Sequence, residues 1–181
     1  MIKGVLLLTA SWFSATALAG SLSVSKQGVV ERPAEEVLSV LTDYENTCDS
    51  GCTYYVKGLK ETQVVSLTET KHVIWQFIEA TRNTKQFVVN TISRDEDGSI
   101  LFISRYPSVE EIATLEQETG LKHESLFSKM DTDWLLTPSE GVTQAEAVIE
   151  VEHGLPDFAN GIIRNALNES LGTAFDNLSQ E

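Results

Sequence analysis

Between residues 59 and 106 apolar and polar positions alternate in four short runs, Leu59–Leu67, His72–Ala80, Lys85–Ser93 and Ser99–Tyr106. A period of two is the signature of strands with one buried and one wet face. The segments between them, Thr68-Glu69-Thr70, Thr81–Thr84 and Asp95-Glu96-Asp97-Gly98, are turn-forming, and the last is a strong hairpin signal. Val73, Trp75 and Phe77 share one face of the second run, and Phe87, Val89 and Thr91 share one face of the third. In the fourth, Ile100, Phe102, Ser104 and Tyr106 do so. The expectation is that the bulky aromatics of successive strands lie on one common face, which some other element covers. Two further strands follow, Leu126–Leu136 with Trp134 and Leu136, and Gln144–Glu152. The latter sets Ala145, Ala147, Ile149 and Val151 against Glu146, Val148, Glu150 and Glu152, which is antiparallel sheet with one face in water.

The period changes at the two ends of this meander. From Pro156 to about Gln180, Phe158, Ile162, Ile163, Ala166, Leu167, Leu171, Ala174, Phe175 and Leu178 recur at three- and four-residue steps. A helix of that length runs roughly 37 Å, enough to cross a sheet, and its apolar stripe is the natural cover for the aromatic face. Upstream, Leu22, Val24, Val29 and Val30 predict a first strand, in which Gly28 suggests a bulge. Pro33 then opens a helix, with Glu35 and Glu36 in its first turn and Ala34, Val37, Leu38, Leu41 and Tyr44 on one side. Pro107 to Glu118 predicts an inserted helix closed by Gly120, with Val109, Ile112, Ala113 and Leu115 together. No repeat and no Pro/Gly-rich linker interrupts the chain. The class is α+β.

The first nineteen residues carry a separate signal. Lys3 is the only charge before Lys26, an apolar stretch begins at Val5, and Ala17-Leu18-Ala19 matches a signal-peptidase site. These are the three parts of a cleaved export signal. The alternative is a membrane anchor, against which Thr9, Ser11, Ser14 and Thr16 interrupt the apolar run. The expected organisation is therefore a signal peptide at 1–19 and one soluble domain at 20–181, in a periplasmic or secreted setting. No later run is long enough to insert stably in a bilayer.

Composition narrows the partners. Against 27 Asp and Glu stand only 13 Lys and Arg, a net charge of −14. With no basic cluster to relieve it, this surface repels phosphate backbones, so nucleic-acid binding is not expected. The two cysteines fall in Cys48-Asp49-Ser50-Gly51-Cys52. In an oxidising compartment the simplest reading is a local disulfide, contributing roughly 2 kcal/mol through loop entropy. A redox pair, a metal site and two free thiols remain alternatives, although the spacing is not C-x-x-C and no His is near.

Two stretches resemble a known family. Glu31-Arg32-Pro33-Ala34-Glu35-Glu36-Val37-Leu38-Ser39-Val40-Leu41-Thr42-Asp43-Tyr44-Glu45 is similar to the first strand-to-helix junction of the START-like, or polyketide cyclase/Bet v 1-like, superfamily. Asp133-Trp134-Leu135-Leu136-Thr137-Pro138, followed by Val151-Glu152-His153-Gly154-Leu155-Pro156, is similar to its last two strands and the approach to its long helix. The resemblance spans most of residues 22–180 and implies a helix-grip fold, a curved antiparallel sheet around a long C-terminal helix. The segment at about 107–128 is longer than the usual hairpin there. Members of this superfamily mostly hold lipids, sterols or other apolar molecules between sheet and helix; some are cyclases and some are partner proteins.

Functional expectations follow from both readings. Trp75, Phe77, Phe87, Phe102, Trp134 and Ile149 from the sheet, opposite Phe158 and Ile162 from the helix, are the candidate ligand-binding residues of an apolar cleft. The alternative is that they only fill the core. No G-x-S-x-G elbow and no zinc-binding His pair occurs, Asp95–Gly98 lacks the ligands of a calcium loop, and Asp131 and Asp133 read as a solvated face. No catalytic residue, metal ligand or cofactor is assigned. The leading expectation is a carrier of a hydrophobic, lipid-like molecule. A cyclase or hydrolase using the same cavity, or a module binding a protein partner through its acidic surface or inserted segment, are the other two.

Two outcomes are expected at once. N-terminal sequencing of the exported protein should begin at Gly20, whereas an intact Met1 in the membrane fraction overturns the export assignment. Alkylation under denaturing, non-reducing conditions should label neither cysteine, and two labelled thiols exclude the disulfide.

Overall fold

A computed structural model describes residues 20–48, 54–55, 57–79 and 82–179 of the 181-residue chain. Seven strands form one antiparallel sheet: β1 (Gly20–Val30), β4 (Leu59–Leu67), β5 (Lys71–Ile78), β6 (Thr84–Arg94), β7 (Ile100–Arg105), β8 (Phe127–Ser139) and β9 (Val142–His153). Their order across the sheet is β1-β9-β8-β7-β6-β5-β4, so the meander from β4 to β9 is continuous and β1 closes on its end. A two-stranded ribbon of β2 (Thr47–Cys48) and β3 (Tyr54–Tyr55) stands apart. Three helices, α1 (Ala34–Leu41), α2 (Val109–Thr119) and α3 (Ala159–Leu178), complete the described chain. The expected signal peptide, Cys52 and the side chain of Cys48 lie outside what is described.

Local signals frame α2 at both ends and α1 at its start. Ser108 and Glu111 make a reciprocal capping box at the start of α2, and Gly120 ends it in the left-handed region at φ 74°. Proline precedes α1, whose apolar positions Ala34, Val37, Leu38, Val40 and Leu41 are all buried, while Arg94 grips Glu35 with two hydrogen bonds of 2.7 and 3.1 Å. The α3 helix packs along β1, burying Ile163, Leu171, Ala174, Phe175 and Leu178. Gly28 makes no bulge, because β1 pairs with β9 in unbroken register from Gly20–His153 to Val30–Thr143. Its small size answers to packing instead: a Cβ there would stand 3.2 Å from the Phe175 ring.

Register decides which residues face inward. Pairing of Ile92 with Phe102 and Asn90 with Ser104 puts the even-numbered positions of β6 and β7 on one face, and Ile74 with Val88 extends that parity to β5. Phe102 pairs in turn with Trp134, and Trp134 with Ala147, so β8 and β9 present the same face. This is the inner face, carrying the main buried core of Leu22, Val24, Ile92, Ile100, Phe102, Trp134, Leu136, Ile149 and Val151 beneath α1 and α3. Trp75 is paired with Phe87, and both therefore lie on the opposite, outer face.

That outer aromatic pair is nevertheless buried, to 5% and 0% exposure, because the inserted segment lies over it. The Trp75 indole N–H donates to the Lys122 carbonyl at 2.8 Å, the Phe87 amide donates to His123 Nδ1 at 3.1 Å, and the His123 ring stacks on Phe87. Glu124 and Lys85 exchange backbone hydrogen bonds beside β6. The strand β7 stops at Arg105, and the returning chain pairs farther along β6. The insertion is thus a cover for the second, smaller apolar layer. α2 itself buries none of its residues, and Val109 is 78% exposed.

Truncation of Trp75 to alanine should therefore act through stability. Denaturant unfolding is expected to show a loss of about 3–5 kcal/mol, the scale of a large buried aromatic, with the affinity for any ligand held on the inner face unchanged. Loss of affinity in a variant of undiminished stability would reverse this assignment of faces.

Candidate functional site

Because the paired strands are in register, the inner face is organised in rows running across the sheet. One row is polar: His72 pairs with Asn90, Asn90 with Ser104, and Ser104 with Thr132. The row on one side is Ile92, Phe102 and Trp134, and on the other Ile74 pairs with Val88 while Met130 follows on β8. Beyond these, Gln76 pairs with Gln86. Sequence alternation set these residues in phase, and the register aligned them into stripes.

Over this part of the inner face the sheet and α1 do not fill the space. A cavity of about 140 Å³ remains, lined by the apolar side chains of Leu41, Ile74, Val88, Phe102, Met130 and Trp134. Its polar lining comes from Tyr44, Gln76, Asn90, Ser104 and Thr132. A larger concavity of about 430 Å³ lies on the outer face among Gln27, Val29, Leu135, Thr137, Gln144 and Glu146. Its lining is predominantly polar, whereas that of the inner cavity is predominantly apolar. The inner cavity has what a small-molecule site requires, apolar walls with a few convergent polar groups.

Two hydrogen-bonded networks border it. Asn90 Nδ2 donates to the Tyr44 hydroxyl at 2.8 Å, and that hydroxyl also bonds His72 Nδ1 at 2.8 Å. Burial pushes the Tyr44 phenol up to about 12 and pushes the His72 imidazole below its usual value. Both groups are accordingly neutral at pH 7. On the other side Gln86 donates to Gln76 Oε1 at 3.3 Å, the Tyr106 hydroxyl donates to Gln86 Oε1 at 2.7 Å, and Ser125 stands 2.8 Å from the same hydroxyl. Burial raises Tyr106 to about 12 as well.

Of the residues expected from the sequence to contact a ligand, Phe102 and Trp134 line the cavity, and Trp134 stacks on Phe175 of α3 with ring centres 5.2 Å apart. Ile149 shares their face but is packed into the core beside Thr132. The other five are placed elsewhere, and the expectation is corrected for them. Trp75, Phe77 and Phe87 lie on the outer face: alternation fixes which residues of one strand share a side, but not which side of the neighbour they join. Phe158 and Ile162 are 80% and 69% exposed, since α3 turns Ala159 and Ile163 inward at those turns. The polar lining was missed altogether. Its signal is a polar residue at an inward position of each strand (Asn90, Ser104, Thr132), visible only once register aligns them.

The carboxylates noted in the sequence are held by cations on the outer face. Arg105 lies 3.8 Å from Asp131 and 3.5 Å from Asp133, and Lys129 lies 3.2 Å from Asp131. No group of three or more His, Cys, Asp or Glu able to hold a metal occurs among the described residues.

No family model matches the chain, and no curated protein does. Solved structures do. The STAR-related lipid transfer protein of Xanthomonas axonopodis superposes with a TM-score of 0.61 at 14% identity, covering 87% of this chain and 86% of that one. Human StAR-related lipid transfer protein 5 gives a TM-score of 0.56 at 13% identity over 87% and 73% of the two chains. The Zhui aromatase/cyclase of Streptomyces sp. R1128 gives 0.58 at 10% identity over 88% and 92%. Identities this low speak for the fold, and the fold is common to all of them. With its seven-stranded antiparallel sheet gripped around a C-terminal helix, this chain has the START-like, helix-grip fold.

Proposed function

We propose that the protein binds a hydrophobic small molecule in the inner cavity, as a carrier working outside the cytoplasm after removal of residues 1–19. The observation that carries this reading is the unfilled space of about 140 Å³ on the inner face, bounded by Phe102, Trp134, Met130, Ile74, Val88 and Leu41. A domain that used these residues only as core would be expected to close such a gap, because lost contacts around a void cost stability. The likeness to the lipid transfer proteins named above supports the same reading. The aromatase/cyclase neighbour leaves an enzyme as the second reading. Against it, the ionisable side chains at the cavity, Tyr44 with its partner His72, are held neutral and already bonded to one another. A general acid or base would need a proton affinity near the working pH.

The export assignment rests on the Lys3, Val5–Leu8 and Ala17-Leu18-Ala19 pattern together with the excess of 27 acidic over 13 basic residues. No helix among the described residues is long and apolar enough to cross a membrane.

Native mass spectrometry of the purified protein should show a non-covalent adduct of a hydrophobic small molecule. Ser104→Leu places apolar bulk in the cavity and should abolish the adduct with a stability change of about 1–3 kcal/mol at most. A bare protein mass, with no uptake of added benzene-sized apolar probes, would end the carrier reading. An adduct that survives in Ser104→Leu would move the ligand elsewhere.

A further inference from the structure

We propose that the ligand of this cavity is a compact, uncharged amphiphile, its hydroxyl or carbonyl group resting on the polar row at Ser104 and Thr132 and its chain on the apolar rows either side. This deepens the carrier reading and rests on it. Three observations carry it: the charge of the lining, the hydrogen-bonding capacity left over, and the size of the space.

Among the described residues, no Asp, Glu, Lys or Arg lines the cavity. The nearest charged row on these strands, Arg105 with Asp131 and Asp133, belongs to the outer face, on the far side of the sheet. A carboxylate, phosphate or ammonium drawn into the cavity would give up hydration with no counter-charge among the described lining residues to replace it. The lining selects against charge of either sign.

What it offers instead is neutral hydrogen bonding. Tyr44 and Asn90 are already joined to each other and to His72, and Gln76 is held by Gln86. The hydroxyls of Ser104 and Thr132, paired across β7 and β8, have no hydrogen-bond partner among the described residues. Each can donate one hydrogen bond and accept others, the complement of an alcohol, an ester or a ketone. They sit between the Phe102–Trp134 row and Met130, so a ligand anchored there has apolar surface on both sides. A volume of about 140 Å³ lies below the 300–1,000 Å³ of a drug-sized pocket. The space suits a molecule of about benzene size, and Leu41 and Tyr44 bound it from the α1 side.

The test uses probes of one size, small enough for the cavity, that differ in their head group. With the full protein at pH 7.5, isothermal titration calorimetry should show binding of butan-1-ol, and butanoate and butylammonium should bind roughly 30-fold more weakly or worse. The near-isosteric double variant Ser104→Ala/Thr132→Val should weaken butan-1-ol by about 5- to 10-fold, leave n-pentane binding undiminished, and keep the wild-type far-UV circular dichroism. Equal binding of butanoate or butylammonium overturns the exclusion of charge. Undiminished butan-1-ol binding in the double variant overturns the polar anchor. If neither butan-1-ol nor n-pentane binds the wild-type protein, the cavity is no ligand site, and the carrier reading falls together with this inference. The head-group comparison needs only the wild-type chain, so it stands even where the double variant does not fold.

Discussion

The tight turn at Asp95–Gly98 sets the phase of everything around the cavity. The Asp95 amide donates to the Ser99 carbonyl and the Gly98 amide to the Asp95 carbonyl, at 2.9 and 3.0 Å, while Asp97 Oδ1 accepts from the Ser99 amide at 2.9 Å. Gly98 takes φ 84°, a conformation that side chains disfavour. With the turn locked, Arg94 must face Ile100, and every later pair between β6 and β7 follows. A slip of one residue would exchange the two faces of β6 relative to β7. Asn90 and Gln86 would then go outside, while Phe87 would be driven into the space the cavity now occupies.

Two apolar layers result, and they are unequal. The inner one holds most of the core, with α3 laid along β1 and Phe175 stacked on Trp134. The outer one, around Trp75 and Phe87, exists only because residues 107–126 fold back over it with Lys122 and His123 as its polar contacts. An antiparallel sheet can leave one face wet. Here the insertion takes over the place of β7 beside Lys85, satisfies the β6 backbone through Glu124, and shields two large aromatics from water. The longer segment is mainly a cover for the outer face, and its Ser125 meets the Tyr106 hydroxyl at the border of the cavity.

The inner face combines order and vacancy. Rows of like chemistry run across β5, β6, β7 and β8, and the polar row is fully bonded at its Tyr44–Asn90–His72 end but open at Ser104 and Thr132. Hydroxyls left without protein partners in a partly buried place are disfavoured unless a solvent or ligand group meets them. The same groups that make the cavity a poor core are those on which the proposed binding of a neutral molecule rests. The charge lies elsewhere, on the outer face and the surface, where exposed ion pairs such as Lys57 with Glu169 contribute little to stability.

The sequence alone determined the elements. Alternation marked the strands of the meander, the three-and-four spacing marked α3, Pro107 and Gly120 framed α2, and the Pro33 and Trp134 segments together pointed to the helix-grip arrangement. These signals are local, carried by residues within one turn or one hairpin of each other. What the sequence left open is relative phase between strands. Periodicity put Trp75 with Phe77 and Phe102 with Ser104, but the choice of which pair faces inward lies in the hydrogen-bond register, which a turn of one residue more or less would invert. Packing decided the rest: α3 rotated so that Ile163 is buried while Phe158 and Ile162 meet water, and Gly28 serves the Phe175 ring instead of a bulge. The cavity belongs wholly to tertiary structure, because an empty volume is a property of side chains from β5, β6, β7, β8 and α1 meeting imperfectly, and no single segment encodes it.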